Sequence, residues 1–193
     1  MPLSEYSWSD DTLVDGTPDG LGTLYTGGNF TLANGDSIAA WGGNGDGQLG
    51  QGNNEDSNTP VTLNLDGVLH MATGWHHSCA VVAQDEITRV ACFGHGSWGQ
   101  LGYGQAQNRT SPVYATELDE LSPSRVAAGE YHSCAALADG RVYCWGRNRE
   151  GQLGDGTETQ RNIPTEVPNF TLGSPPVLAA GGGHSCAVAA GEE

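Results

Sequence analysis

The chain has 193 residues, with seven basic against 23 acidic residues and a formal charge of −16. All seven basic residues are Arg, so P-loop, Schiff-base and lysine-activated chemistries are excluded, and the acidity argues against an unaided nucleic-acid or anionic-membrane binder. No apolar run approaches the roughly 20 residues that span a bilayer, and 30 Gly with nine Pro read as many short strands joined by tight turns.

Taken in chain order, Met1-Pro2-Leu3-Ser4-Glu5 has neither the basic start nor the apolar core of a secretory leader. Residues 1–26 are read as an N-terminal arm or linker, in which Tyr6 and Trp8 suit a packed segment. A repeat array then fills residues 27–193, with units at about 27–78, 79–133 and 134–193. Trp41-Gly42 leading to Gly47-Gln48-Leu49-Gly50 returns as Phe93-Gly94 leading to Gly99-Gln100-Leu101-Gly102. It returns again as Trp145-Gly146 leading to Gly151-Gln152-Leu153-Gly154, at 52-residue steps that Pro60, Pro112 and Pro164 also keep. A third marker, His77-Ser78-Cys79-Ala80, recurs from His132 and from His184 at steps of 55 and 52. The first block exchanges three residues between two loops while its frame stays fixed, as repeats do when variation is confined to surface connections.

One block defines the unit. Val126–Ala128, Ser133–Leu137 and Arg141–Trp145 read as three short strands, with Ala138-Asp139-Gly140 as a three-residue hairpin loop. A fourth strand falls near Pro164–Val167, where Pro implies an edge or a strand start. Three or four antiparallel strands per roughly 50 residues describe a propeller blade. The first-block hairpin, Gln84 to Arg89, is longer and is expected to project.

Cys79 with Cys92, and Cys134 with Cys144, flank this hairpin in consecutive blocks. The three-residue loop sets Cys134 opposite Cys144 in a non-hydrogen-bonded pair, where Cα atoms approach to about 4.5 Å and a disulfide can close. The repeated facing pair points to disulfides and an oxidising compartment; two reduced thiols packed as small hydrophobes are the alternative. Cys186 holds the first position of such a pair and is expected as an unpaired thiol. Its edge leaves two readings: a piece of a longer array, or a strand supplied by a second chain.

The pattern Ala-Ala-Gly-x-x-His-Ser-Cys-Ala, an Asp-Gly turn, Val-Tyr-Cys-Trp-Gly and Gly-Gln-Leu-Gly-x-Gly closely resembles the regulator of chromosome condensation repeat, in its cysteine-bearing bacterial or extracellular form. The resemblance is good over residues 41–193 and weak over 27–40, where Gly27-Gly28-Asn29-Phe30-Thr31-Leu32 replaces Gly-x-x-His-Ser-Cys. It implies a seven-bladed β-propeller of four-stranded blades. This chain holds about 3.7 repeats, so the fold class expected is all-β, an incomplete set of three to four propeller-type blades.

The His-x-Cys and Gly-Gln-Leu-Gly elements occur in every block, which marks them as blade-building; no catalytic residue and no metal ligand is assigned. Adjacent His and Ser on a strand point to opposite faces, against a nucleophile–base pair. The loops at Asn44-Gly45-Asp46-Gly47 and Asn53-Asn54-Glu55-Asp56 are ordinary turn chemistry with weak calcium binding as the alternative, and no cofactor is implied. Sequons begin at Asn29, Asn108 and Asn169, leaving glycosylation open. Specificity is expected where blocks differ. One position reads Asp46, Trp98, Glu150; another reads Trp75, Glu130, Gly182; its neighbour reads His76, Tyr131, Gly183. Trp75, His76, His95, Trp98, Tyr103 and Tyr131 are the candidate binding anchors.

The leading expectation is a non-enzymatic module, extracellular or on a cell surface rather than cytoplasmic. It would serve in self-assembly or scaffolding, or bind protein through blade loops and open strand edges. The partners expected are itself as a homo-oligomer or polymer, another propeller fragment, or a protein or glycan ligand, with no nucleic acid and no membrane insertion. A loop binder akin to the family's secreted β-lactamase inhibitor, cut from a full propeller, is one alternative. A relative of the family's exchange factors for a small nuclear GTPase is another.

Overall fold

The computed structural model describes residues 22–35, 37–173 and 176–188. It is all-β, an incomplete propeller of sequential antiparallel sheets. The first sheet runs β1 (Thr23–Thr26), β2 (Phe30–Asn34), β3 (Ile38–Gly42), β4 (Ser57–Leu63). The second runs β5 (Val68–Thr73), β6 (His77–Gln84), β7 (Ile87–Gly94), β8 (Arg109–Tyr114). The third runs β9 (Pro123–Ala128), β10 (His132–Leu137), β11 (Val142–Gly146), β12 (Arg161–Glu166). A two-stranded sheet follows, β13 (Leu178–Ala180) with β14 (Ser185–Ala187). The N-terminal arm read for 1–26 lies outside the described residues as far as 21, Tyr6 and Trp8 included; its last residues pair with β2 as β1.

First strands lie side by side from sheet to sheet, β5 against β1 and β9, and β9 against β13. Each four-stranded sheet is therefore a blade with its first strand inward and its fourth outward. The outer strands β4, β8 and β12 carry Pro60, Pro112 and Pro164, which an edge tolerates because no neighbour needs the missing N–H.

Strands buried on both faces alternate between two neighbours instead of between core and water. From β6 and β7, Ala80, Val82, Ala91 and Phe93 face the first blade, against Phe30, Leu32, Leu49 and Leu63. The intervening Cys79, Val81, Val90 and Cys92 face the third blade, against Val126, Ala135, Leu137 and Trp145. Leu49, Leu101 and Leu153 of the Gly-Gln-Leu-Gly loops are buried in successive seams. Trp145 is fully buried, and its Nε1–H donates to the Gln100 carbonyl of the preceding blade at 2.8 Å. Burial of each such Leu contributes about 1.5–3 kcal/mol.

The hairpin of the third blade takes the expected form. Cys134 pairs with Cys144 across β10 and β11, and Gly140 has φ +89 in the left-handed position of the loop. The second-blade hairpin joins two eight-residue strands through Asp85-Glu86 alone. Both residues have positive φ, 50° and 68°, the geometry of a type I′ turn that favours Asn-Gly. Replacing Asp85-Glu86 with Asn-Gly is expected to raise stability by about 1 kcal/mol, read as a higher urea midpoint. An unchanged or lower midpoint would contradict the turn assignment.

Candidate functional site

The loops after first strands and after third strands lie at one end of the sheets, with the second-to-third-strand hairpins at the other. A repeated backbone bond fastens the two loop sets within each blade. The N–H of Gly43, His95 and Arg147 donates to the carbonyl of Asn29, His76 and Tyr131 respectively, at 2.8, 2.8 and 2.9 Å. The side chains at those positions are thereby set next to one another.

Across each seam, the third-strand loop of one blade meets the first-strand loop of the next. At the first seam Asp46 faces His76, Oδ2 to Nδ1 3.6 Å. At the second, Trp98 lies against Tyr131 with ring centroids 6.3 Å apart, and His95 lies 5.7 Å from the same Tyr131 ring. The Arg147 guanidinium sits 5.9 Å from both the Trp98 and Tyr131 rings, and that of Arg149 lies 4.8 Å over Trp98. Asn108 braces the strip: its amide nitrogen donates to Asp46 Oδ1 at 2.8 Å, and its oxygen accepts the Gly96 N–H at 3.0 Å. Burial lowers the pKa of His95, and its Nδ1 meets Gln100 Nε2 at 2.7 Å. The ring is thus a neutral acceptor within the cluster.

Four of the six candidate anchors, His76, His95, Trp98 and Tyr131, converge on this strip. Trp75 is 52 % exposed beside it, and its carbonyl accepts the Gly28 N–H at 3.1 Å. Tyr103 lies elsewhere: the Arg109 guanidinium covers its ring at 4.7 Å, and its hydroxyl donates to the Gln107 carbonyl at 3.3 Å. Sequence reasoning missed Arg147 and Arg149. The signal was present, since these positions read Gly43, His95, Arg147 and Gly45, Ser97, Arg149 through the three blocks.

The repeated His-Ser-Cys element ties blade to blade. His77 Nε2 meets Ser133 Oγ of the next blade at 2.9 Å, and Ser133 donates its hydroxyl proton to the Gln100 carbonyl at 2.8 Å. His132, Ser185 and the Gln152 carbonyl repeat the arrangement at 2.9 and 3.0 Å. A His–Ser contact therefore does exist, between blades instead of along one strand. It lacks the polarity of a nucleophile–base pair, because the serine proton is committed to a carbonyl and the imidazole Nε2–H is the donor. His77 and Ser133 are also fully buried. Each Cys pair is a disulfide, Cys79–Cys92 and Cys134–Cys144, and Cys186 is free and exposed.

The Asn-rich loop is organised by its own buried amide. Asn44 Nδ2 donates to the Asn53 carbonyl, Asn53 Oδ1 and the Glu55 carbonyl, each at 3.0 Å, while Asn44 Oδ1 accepts the Leu49 N–H at 2.9 Å. Asn148 does the same in the third blade, with Asp155, Thr157 and Thr159 as acceptors. The oxygens that a calcium ion would need thus surround an amide nitrogen. Among the described residues, no three His, Cys, Asp or Glu gather as a metal site.

Comparison with known proteins places this architecture. The model of the regulator of chromosome condensation (RCC1) repeat matches residues 38–81, 89–136 and 139–188. The ultraviolet-B receptor UVR8 of Arabidopsis thaliana is 33% identical over 163 residues, covering 83% of this chain and 37% of that protein. The probable E3 ubiquitin-protein ligase HERC4 of Rattus norvegicus is 34% identical over 122 residues, 63% of this chain and 11% of that protein. Among solved structures, Prp20p of Saccharomyces cerevisiae, described with its binding properties to Gsp1p and histones, superposes with a TM-score of 0.72 at 23% identity. That match covers 89% of this chain and 44% of the other. Yeast RCC1 (Prp20) bound to Kap60 gives a TM-score of 0.73 at 26% identity, over 91% of this chain and 43% of the other. The chain spans less than half the length of each of these relatives.

Proposed function

The chain belongs to the regulator of chromosome condensation repeat family, and from that premise we propose that it is a non-enzymatic binding module. Its partner is a protein, engaged by the loop end that carries Trp98 and Tyr131. One observation carries this reading: at the second seam two aromatic rings and two guanidinium groups gather, at positions that read Gly, Ser, Asn, Asp, Glu or His in the other blades. Trp, Tyr and Arg dominate the energetics of protein interfaces, and Asn108 and Tyr131 are fixed here by blade-to-blade and within-blade bonds. Protein binding by yeast Prp20 supports the class of function. Its particular partners are not carried over, because this chain spans less than half of that protein.

The two buried disulfides support an oxidising compartment, and we place the module outside the cell or on its surface. Self-association is the second reading. It is favoured by the two-stranded sheet β13–β14, which is flanked by exposed Val177 and Val188 and carries the free Cys186.

The test compares proteins cross-linked by the whole chain with those cross-linked by a Trp98→Ala/Tyr131→Ala variant. A partner is expected to be lost from the variant, since truncating a pair of central aromatics weakens binding by roughly 30-fold or more. It should be kept by Arg141→Gln at the opposite end. Equal capture by all three would remove the loop end from consideration. Light scattering with and without reductant then reads self-association directly, and a monomer in both conditions would reject that reading.

A further inference from the structure

Resting on the reading of this loop end as a protein-binding site, we propose that its partner delivers a carboxylate to Arg149 where it stacks on Trp98 beside Arg147. The group is an aspartate or glutamate side chain set among basic residues on the partner's surface.

Four of the seven arginines of this acidic chain are tied to its own carboxylates. Arg89 faces Asp119 at 3.8 Å, Arg141 faces Asp139 at 2.8 Å, Arg161 faces Asp155 at 2.8 Å, and Arg147 Nη2 pairs with Glu150. Arg149 is different. Its side chain is exposed, and its contact among the described residues is the face of Trp98 at 4.8 Å. Stacking on an indole holds a guanidinium in place and leaves its in-plane N–H donors unused. Arg147, whose Nη2 is held by Glu150, adds a second positive charge 5.9 Å from the same ring. The spot is therefore rich in fixed donors. A planar acceptor that takes two N–H groups at once matches it, which is the chemistry of a carboxylate.

The surroundings narrow the class of partner. Glu150 pairs with Arg147 at the spot, Asp46 is held by Asn108 along the strip, and the chain as a whole carries a charge of −16. A polyanion such as nucleic acid would meet this negative field everywhere except at two guanidinium groups, and screening only softens that field over about 8 Å. A single carboxylate ringed by lysine or arginine satisfies both the cationic centre and the acidic border. Complementarity of this kind steers encounter and suppresses wrong partners.

The test selects a phage-displayed library of random twelve-residue peptides on the whole chain, then titrates recovered peptides against variants. Recovered sequences are expected to share an Asp or Glu flanked by Lys or Arg. Changing that residue to Asn or Gln should weaken binding roughly tenfold or more, as should Arg149→Gln in the chain. Arg141→Gln, an equal loss of charge at the far end, should leave binding unchanged. Because Arg149 is exposed, its variant should keep the wild-type melting temperature. Peptides that need Trp98 but carry no shared acidic residue, or that bind Arg149→Gln unchanged, would overturn this proposal and leave the loop-binding reading intact. Recovery of no peptide that depends on Trp98 would overturn both. Single-stranded oligothymidylate that bound as tightly as the peptides and was lost with Arg149→Gln would assign the spot to phosphate instead.

Discussion

Acidification is expected to strip the propeller of several kcal/mol well before its carboxylates titrate. The cause is the pair of buried imidazoles at the seams. Burial first, then the neighbouring histidines, lower His77 to about 3, and burial lowers His132 to about 4. Both donate from Nε2 to a serine of the next blade, and both have an Nδ1 without a hydrogen-bond partner. An added proton would place a charge in a buried seam, a cost that the His184 backbone only partly offsets at His132. The unfolded chain takes up those protons near the ordinary value of about 6.5. Stability from this source is complete above that pH and is lost as pH falls toward about 4 and then about 3. Each histidine costs up to about 1.4 kcal/mol per pH unit within its window.

The window between about pH 6.5 and pH 5 isolates the effect, because most carboxylates remain ionised there. Urea unfolding across that range should show a free energy falling by about 2–4 kcal/mol, a large part of the stability of a typical domain. His77→Gln keeps a neutral side-chain donor and removes the titration, so its pH slope should be about half that of the wild type. An equal slope in the two proteins would show that the seam histidine does not control acid sensitivity. Relief of the net negative charge works in the opposite direction, mainly below about pH 5 where carboxylates protonate.

How much of this was legible in the sequence depended on repetition. The 52-residue frame placed the strands of the third blade and the facing cysteines, because a feature present in three copies confirms its own register. The first blade was harder to read. Phe30 occupies the place of His77 and His132, and Leu32 with Ala40 replaces the cysteine pair, so packing was kept while the motif was erased. β1 carried no signature for the same reason. At the site, the departures at Trp98 and Tyr131 were visible, but their meeting was not. Trp98 and Tyr131 lie 33 positions apart and touch only because one blade's third-strand loop reaches the next blade's first-strand loop. Tyr103 showed the converse, since an equally conspicuous residue in the same loop turns under Arg109. The arginine stack was overlooked because charged loop residues are usually solvated, and only geometry distinguishes one that lies on an indole.

Reduction is expected to lower stability by about 5–6 kcal/mol, the larger of the two effects. The bridges close loops of sequence separation 13 and 10, and restricting the unfolded chain over such lengths contributes about 3 kcal/mol for each. Both bridges lie in seams, Cys79–Cys92 against the third blade and Cys134–Cys144 against the fourth sheet. The reduced thiols would still pack there as small hydrophobes, so the loss measures the covalent link. The first blade supplies the control. Its Leu32 and Ala40 fill the equivalent pair with no bridge, so Cys79→Leu with Cys92→Ala should fold and lose about half of the sensitivity to reductant. Thiol titration of the unfolded, unreduced chain should find one reactive group, Cys186, and five after reduction. A urea midpoint indifferent to reductant, or five thiols in chain purified from an oxidising compartment, would mean that the cysteines act only as packing. A large shift would mean that the blades depend on covalent closure. A chain so built keeps its full stability only where disulfides persist.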